Sequence, residues 1–167
     1  SEEPTLFFKP SSGLTGSGQQ ILLPSQSNRV ELEAELAIVI GAYAKNISKE
    51  NAADVIWGFT IANDVTARDL QQKAKEKGLP WDLAKGFDGS APISDTFIPV
   101  SSFPDLTNIN FSLTVDGQIR QQGNTSLMLF PFDYIISYLS RFFTLKPGDL
   151  IFTGTPKGVS AVKPGNR

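Results

Sequence analysis

Two residue types are missing from this chain: its 167 residues include no cysteine and no histidine. Without cysteine there is no disulfide, no thiolate nucleophile and no Cys-ligated zinc. Without histidine the commonest general base and the commonest transition-metal ligand are gone. Any metal held here must sit among oxygen ligands, which favours Mg²⁺, Mn²⁺ or Ca²⁺ over zinc. An excess of one charge is also lacking. Fifteen Lys and Arg stand against seventeen Asp and Glu, for a net charge of −2. The basic residues are scattered, so no electrostatic footprint for nucleic acid or anionic membrane is present. No apolar run approaches the ~18 residues of a membrane span, and the N-terminus lacks a signal-peptide layout. The expected setting is cytoplasmic, or the mitochondrial matrix in a eukaryote. With 40% hydrophobic residues the chain suits one globular domain with a real core.

What is present is a succession of short apolar runs punctuated by 14 Gly and 11 Pro. SSGLTGSGQQ (11–20) reads as a flexible loop, and the Lys-Pro-Gly steps at 146–149 and 163–166 read as turns. A short helix is predicted through KENAADVI (49–56) with Ser48 as N-cap, followed by a strand at WGFTIAN (57–63). The clearest helix follows Asn63-Asp64-Val65. Thr66 and Asp69 are spaced as a capping box, and Gly78 is its stop. NFSLTVDGQIRQQG (110–123) predicts a hairpin turning at Asp116-Gly117 in type I′ geometry. PFDYIISYLSRFF (131–143) predicts a helix with Pro131 at its first position, and DLIFTGTPKG (149–158) a buried strand leaving through a loop. The fold class is therefore mostly β with a few helices (α+β).

The segment VELEAELAIVIG (30–41) carries the chemistry. In a strand, alternate side chains share a face ~6.5 Å apart. Glu31, Glu33 and Glu35 then line up, while Leu32, Ala34, Leu36, Ile38 and Ile40 face the core. Two such charges repel by roughly 2 kcal/mol at an effective dielectric near ~20, and burial makes this worse. Water, a proton or a divalent cation must relieve it. A solvated edge-strand face, or an exposed i,i+4 helix pair, accounts for the same pattern. Asp64, at a strand-to-helix junction, is a further carboxylate free to enter a cleft, or an ordinary turn residue. Arg68 and Lys85 add positive charge nearby in sequence. TGTPKG is not a phosphate loop, because Gly follows its lysine and no helix pattern follows.

Several blocks together resemble the fumarylacetoacetate hydrolase family, especially its small acylpyruvase and oxaloacetate-decarboxylase-like members. They are PTLFFKPSS, VELEAELAIVIG, FTIANDVTARDLQ, KGLPWDLAKGFDGSAPIS, VDGQIRQQGNT and LKPGDLIFTGTPKGV, and they cover nearly the whole chain. The resemblance implies that Glu33, Glu35 and Asp64 bind Mg²⁺ or Mn²⁺. It implies that Arg68, Gln71 and Thr155 bind substrate and that Lys85 is catalytic, with Lys9 structural and Glu31 outside the ligand set. It further implies a β-roll and a homodimer. Residues 1–167 are expected to form a single catalytic domain without the family's N-terminal lid segment, which carries a His-x-x-Glu pair, and without its C-terminal strands.

The activity implied is metal-dependent hydrolysis of a C–C bond in an acylpyruvate, a 2,4-dioxo acid, giving pyruvate and a carboxylic acid. Decarboxylation of oxaloacetate, isomerisation of an unsaturated oxo-diacid, and a non-catalytic metal-binding relative are the alternatives. The expected partner is a small 2-oxo acid.

Overall fold

A computed structural model describes residues 2–167. Its strands are β1 (Leu14–Thr15), β2 (Val30–Leu32), β3 (Ala34–Ile40), β4 (Ile56–Asn63), β5 (Thr66–Ala67), β6 (Ala91–Pro92) and β7 (Ile98–Pro99). They continue with β8 (Asn110–Val115), β9 (Gln118–Asn124), β10 (Leu150–Phe152) and β11 (Ser160–Ala161). The helices are α1 (Lys49–Ala52), α2 (Arg68–Lys77), α3 (Asp82–Lys85) and α4 (Phe132–Phe142). The mostly-β reading with a few helices holds.

The organising feature is a pair of strand runs that each cross between two sheets. One sheet has the order β10-β3-β4-β7 and the other β11-β2-β5. β2 and β3 form one extended run broken at Glu33, and β4 and β5 form another broken at Asp64-Val65. The two runs pair antiparallel throughout, Ala34 with Asn63 on one side of the break and Glu31 with Thr66 on the other. At the break, side chain replaces ladder. Glu33 N donates to Asn63 Oδ1 at 3.0 Å, while Asp64 N donates to the Glu33 carbonyl at 2.8 Å. Both breaks thus fall opposite each other and are bridged by these two bonds, in keeping with the need to pair buried backbone groups.

The period-two reading of 30–41 survives the break. Leu36, Ile38 and Ile40 enter one core with Phe59, Phe132, Ile136 and Leu145, whereas Val30 and Leu32 enter a second with Val65 and Val115. α4 seals the larger core with a buried stripe of Phe132, Ile135 and Ile136. Such a stripe follows from apolar spacing at helical period. In the hairpin, Asp116 and Gly117 have φ of 51° and 76°, the type I′ signature, so the predicted turn is observed. Gly78, with φ 63°, closes α2 as predicted.

Four local expectations are corrected. Thr66 does not cap α2: it lies in β5, and the helix follows Ala67 with no side-chain cap. Asp69 instead accepts from Ser27 Oγ (2.5 Å) and Asn28 N (2.8 Å), tying the loop before β2 to the helix. Sheet pairing with Val30–Glu31 claimed Thr66 before capping could. The helix at 49–56 ends early, passing through a 3₁₀ turn at Ala53–Val55 into β4, and the Ser48 hydroxyl makes no capping bond. Pro131 stands one residue outside α4. β10 is a three-residue, half-buried edge strand rather than a long buried one.

Candidate metal centre

The crossing point gathers the acids. One oxygen each from Glu33, Glu35 and Asp64 lies within 4.8 Å of the others, and all three residues are buried. The three carboxylates expected to bind a metal are thus brought together by the opposed breaks. Glu33 and Glu35 share a strand face, and Asp64 arrives from the neighbouring run. Glu31, the remaining member of the row, lies off the cluster. It is also buried, bridging Arg29 Nε at 2.7 Å and Arg68 Nε at 2.6 Å. The solvated-face reading of the row therefore fails; these carboxylates are enclosed.

Cations answer them. Lys85, 3% exposed at the end of α3, points Nζ at Asp64 Oδ2 (2.7 Å), Thr66 Oγ1 (2.7 Å) and Glu33 Oε2 (3.2 Å). The Phe7 ring covers the same ammonium, with its centroid 5.0 Å away. Lys9 Nζ donates to Asp64 Oδ1 and to the Lys85 carbonyl, both at 2.5 Å. Arg68 forks across three acceptors. Its Nη2 meets Glu33 Oε1, its Nη1 meets Gln71 Oε1 at 2.5 Å, and its Nε holds Glu31. Glu35 has a backbone partner, Gly154 N at 2.8 Å.

Two titrations stand out. Burial first, then the nearby charge of Asp64, pushes the Glu35 carboxyl up to about 8, against the pull of the Gly154 N–H. Burial lowers Lys9 from its ordinary value, with Asp64 opposing. A buried carboxyl that favours its proton beside two further buried acids, even with Lys85 nearby, is a place where a dication can take the proton's position. Oxygen-only donors at this spacing fit a hard dication such as Mg²⁺ or Mn²⁺.

The cluster forms the floor of a cavity of about 880 Å³ lined by Glu33, Glu35, Asp64, Gln71, Lys85 and Thr155. Of the predicted substrate-binding residues, Gln71 and Thr155 therefore face this space. Arg68 is not among the lining residues and stands behind Glu33 and Gln71 with all three of its nitrogens engaged. Thr155 Oγ1 donates to the Ala34 carbonyl at 2.8 Å and accepts from Gln121 Nε2 at 2.8 Å. Gln121 was not singled out from sequence. Its Oε1 also accepts from Ala34 N at 2.9 Å, locking the TGTP loop to β3. The alternating pattern of the hairpin, which turns Gln121 inward, is the signal that could have found it. Lys9, read as structural, proves to be a wall of the site.

Comparison with known proteins follows the same lines. Residues 1–167 match the family model described as fumarylacetoacetate (FAA) hydrolase C-terminal. The chain is 46% identical over 161 residues to a mitochondrial oxaloacetate tautomerase of Bos taurus, covering 96% of this chain and 72% of that protein. It is 47% identical over 165 residues to a mitochondrial oxaloacetate decarboxylase of Dictyostelium discoideum, covering 98% and 75%. The fumarylpyruvate hydrolase of Pseudomonas aeruginosa, whose crystal structure is in complex with Mn²⁺ and pyruvate, superposes with a TM-score of 0.90 at 41% identity. That superposition covers 99% of this chain and 73% of that one.

Proposed function

The chain belongs to the fumarylacetoacetate hydrolase family, and on that premise we propose that it cleaves the C–C bond of an acylpyruvate-type 2,4-dioxo acid in a metal-dependent hydrolysis. The observation that carries this reading is the convergence of three buried carboxylates and the Lys85 ammonium on the floor of one cavity. Glu33, Glu35 and Asp64 would hold Mg²⁺ or Mn²⁺. When bound, such an ion supplies Lewis acidity to the 2-oxo-carboxylate end of the substrate.

The remaining work falls to the chain's own residues. Gln71, its oxygen spent on Arg68, offers its amide nitrogen to the substrate carboxylate. Thr155 lines the same cavity, its hydroxyl fixed by the Ala34 carbonyl and Gln121. Water adds to the distal carbonyl, and the C–C bond breaks with its electron pair moving onto the pyruvate fragment. A proton then completes its methyl group, so RCO–CH₂–CO–COO⁻ and water give RCOO⁻, pyruvate and a proton. Lys85, itself buried, sets a fixed positive charge beside the oxygen where negative charge grows. Phe7, Phe8 and Leu139 on the cavity wall suit the acyl group.

A second reading is favoured by the identity to a relative named oxaloacetate decarboxylase. There the 2-oxo diacid loses CO₂, and the electron pair left behind is the same enolate of pyruvate, again met by Lys85. Supplying Mg²⁺ with acetylpyruvate or with oxaloacetate separates the two. Acetylpyruvate converted to acetate and pyruvate supports hydrolysis. Loss of oxaloacetate alone rejects it in favour of decarboxylation, and silence on both with metal bound leaves a binding relative.

We further propose a homodimer in the cytoplasm or mitochondrial matrix. Trp57 on β4 and Phe97 just before β7 are exposed and line one shallow apolar depression, a surface suited to a second copy. Sedimentation at the monomer mass would reject it. Among the described residues, no helix is long and apolar enough to cross a membrane.

A further inference from the structure

Each carboxylate of the cluster has one oxygen already tied to a donor outside it. Arg68 Nη2 holds Glu33 Oε1, Gly154 N holds Glu35 Oε2, and Lys9 Nζ holds Asp64 Oδ1. One oxygen per residue remains for an ion, and for Glu33 and Asp64 these are the oxygens that Lys85 Nζ touches. The anchor on Asp64 differs from the other two. It is a lysine ammonium, a single cationic nitrogen that is also fixed by the Lys85 carbonyl at 2.5 Å. The Lys85 carbonyl is itself held by Ser90 Oγ at 2.9 Å. With only 9% of its side chain exposed, Lys9 has little freedom to release the carboxylate.

We propose that Lys9 is a metal-selectivity residue. By occupying one oxygen of Asp64 it restricts that carboxylate to a single ligand oxygen, and so favours small six-coordinate dications over Ca²⁺. This rests on the metal-dependent reading above. The physical reason is coordination number. Ca²⁺ takes six to eight oxygens and gains from bidentate carboxylates, whereas Mg²⁺ and Mn²⁺ are content with one oxygen from each. Three single-oxygen ligands leave the larger ion under-coordinated. Lys9 acts through Asp64 and is a positioning residue, not a catalytic one.

Losing an ammonium beside the site strengthens attraction for every dication, but Mn²⁺ and Ca²⁺ carry equal charge. That effect cancels in the ratio of their affinities, and the ratio is the readout. Lys9→Met should narrow the preference for Mn²⁺ over Ca²⁺ by about tenfold, measured by Ca²⁺ competition against the Mn²⁺ EPR signal. Because the chain has no cysteine, Lys9→Cys can be aminoethylated at that position alone, which rebuilds an ammonium of nearly the same length. The unmodified Lys9→Cys protein should show the narrowed ratio and the aminoethylated one the original. A ratio unchanged in both variants while both ions bind overturns the proposal, as does a narrowed ratio that aminoethylation fails to restore.

Should the variants not fold, the unaltered protein still decides. In ¹⁷O-water, Mn²⁺ bound without substrate should show broadening from about three exchangeable waters, as six-coordination by three single-oxygen ligands requires. One or two waters overturns the proposal. Failure of the unaltered protein to bind Mn²⁺ at all is a separate result, which refutes the metal-dependent reading itself.

Discussion

Loading a dication should cost the site a proton. Glu35 sits at about 8 in the metal-free protein, because burial and the charge of Asp64 both oppose its ionisation. A carboxyl at that value is ionised in only about one molecule in ten at pH 7, while a ligand must be a carboxylate. Binding of Mn²⁺ or Mg²⁺ should therefore release close to one proton below pH 7 and almost none above about pH 9. The apparent affinity should rise about tenfold per pH unit up to about pH 7 and level off beyond pH 8, each tenfold step being ~1.4 kcal/mol. The sign is fixed by the direction of the shift: a raised carboxyl favours the proton, so acid opposes the metal. Calorimetric titration in two buffers of different ionisation heat reads the proton count and the affinity together. Glu35→Gln should bind more weakly and lose the slope. A flat affinity between pH 6 and 8 with no proton released would refute the placement of Glu35 in the ligand set.

Other substitutions probe the rest of the arrangement. Lys85→Met should lower turnover by about 10²–10³-fold. It should leave Mn²⁺ affinity intact or tighter, because Asp64 Oδ2 and Glu33 Oε2 lose a competing ammonium; a lost metal site would contradict the role given to Lys85. Glu33→Ala should abolish metal binding and activity together, since it removes a ligand and takes one acceptor each from Arg68 and Lys85; retained turnover argues against the ligand assignment. In the core, Ile136 is fully enclosed between α4 and the larger sheet, so Ile136→Ala should lower unfolding free energy by about 2–5 kcal/mol in urea denaturation. A loss below about 1 kcal/mol would mean that this helix is not the seal described.

The amino-acid pattern carried the local elements and the acids better than it carried their surroundings. Period-two spacing exposed the Glu row, and Asp116-Gly117 named its own turn. What it could not show was that the row breaks at Glu33 and passes from one sheet to another, since that break depends on Asn63, thirty residues on. Thr66 and Asp69 satisfied a helix-capping pattern, yet strand pairing took one and the loop at Ser27 took the other. Local propensity loses where tertiary hydrogen bonds compete for the same side chain. Gln121 escaped notice, and Lys9 was taken as structural, for the same reason. Each is an ordinary polar residue in sequence, and only the convergence of distant segments makes it part of the site. Arg68 went the other way: expected to face substrate, it is engaged with Glu31, Glu33 and Gln71.

The claim on which the rest depends is that Glu33, Glu35 and Asp64 together hold one hard dication at the foot of the cavity. Anomalous diffraction at the manganese edge, from crystals soaked in Mn²⁺, tests this most directly. The account predicts one dominant peak within bonding distance of an oxygen from each of the three residues. A peak elsewhere, or none there at full occupancy of a second site, would contradict it.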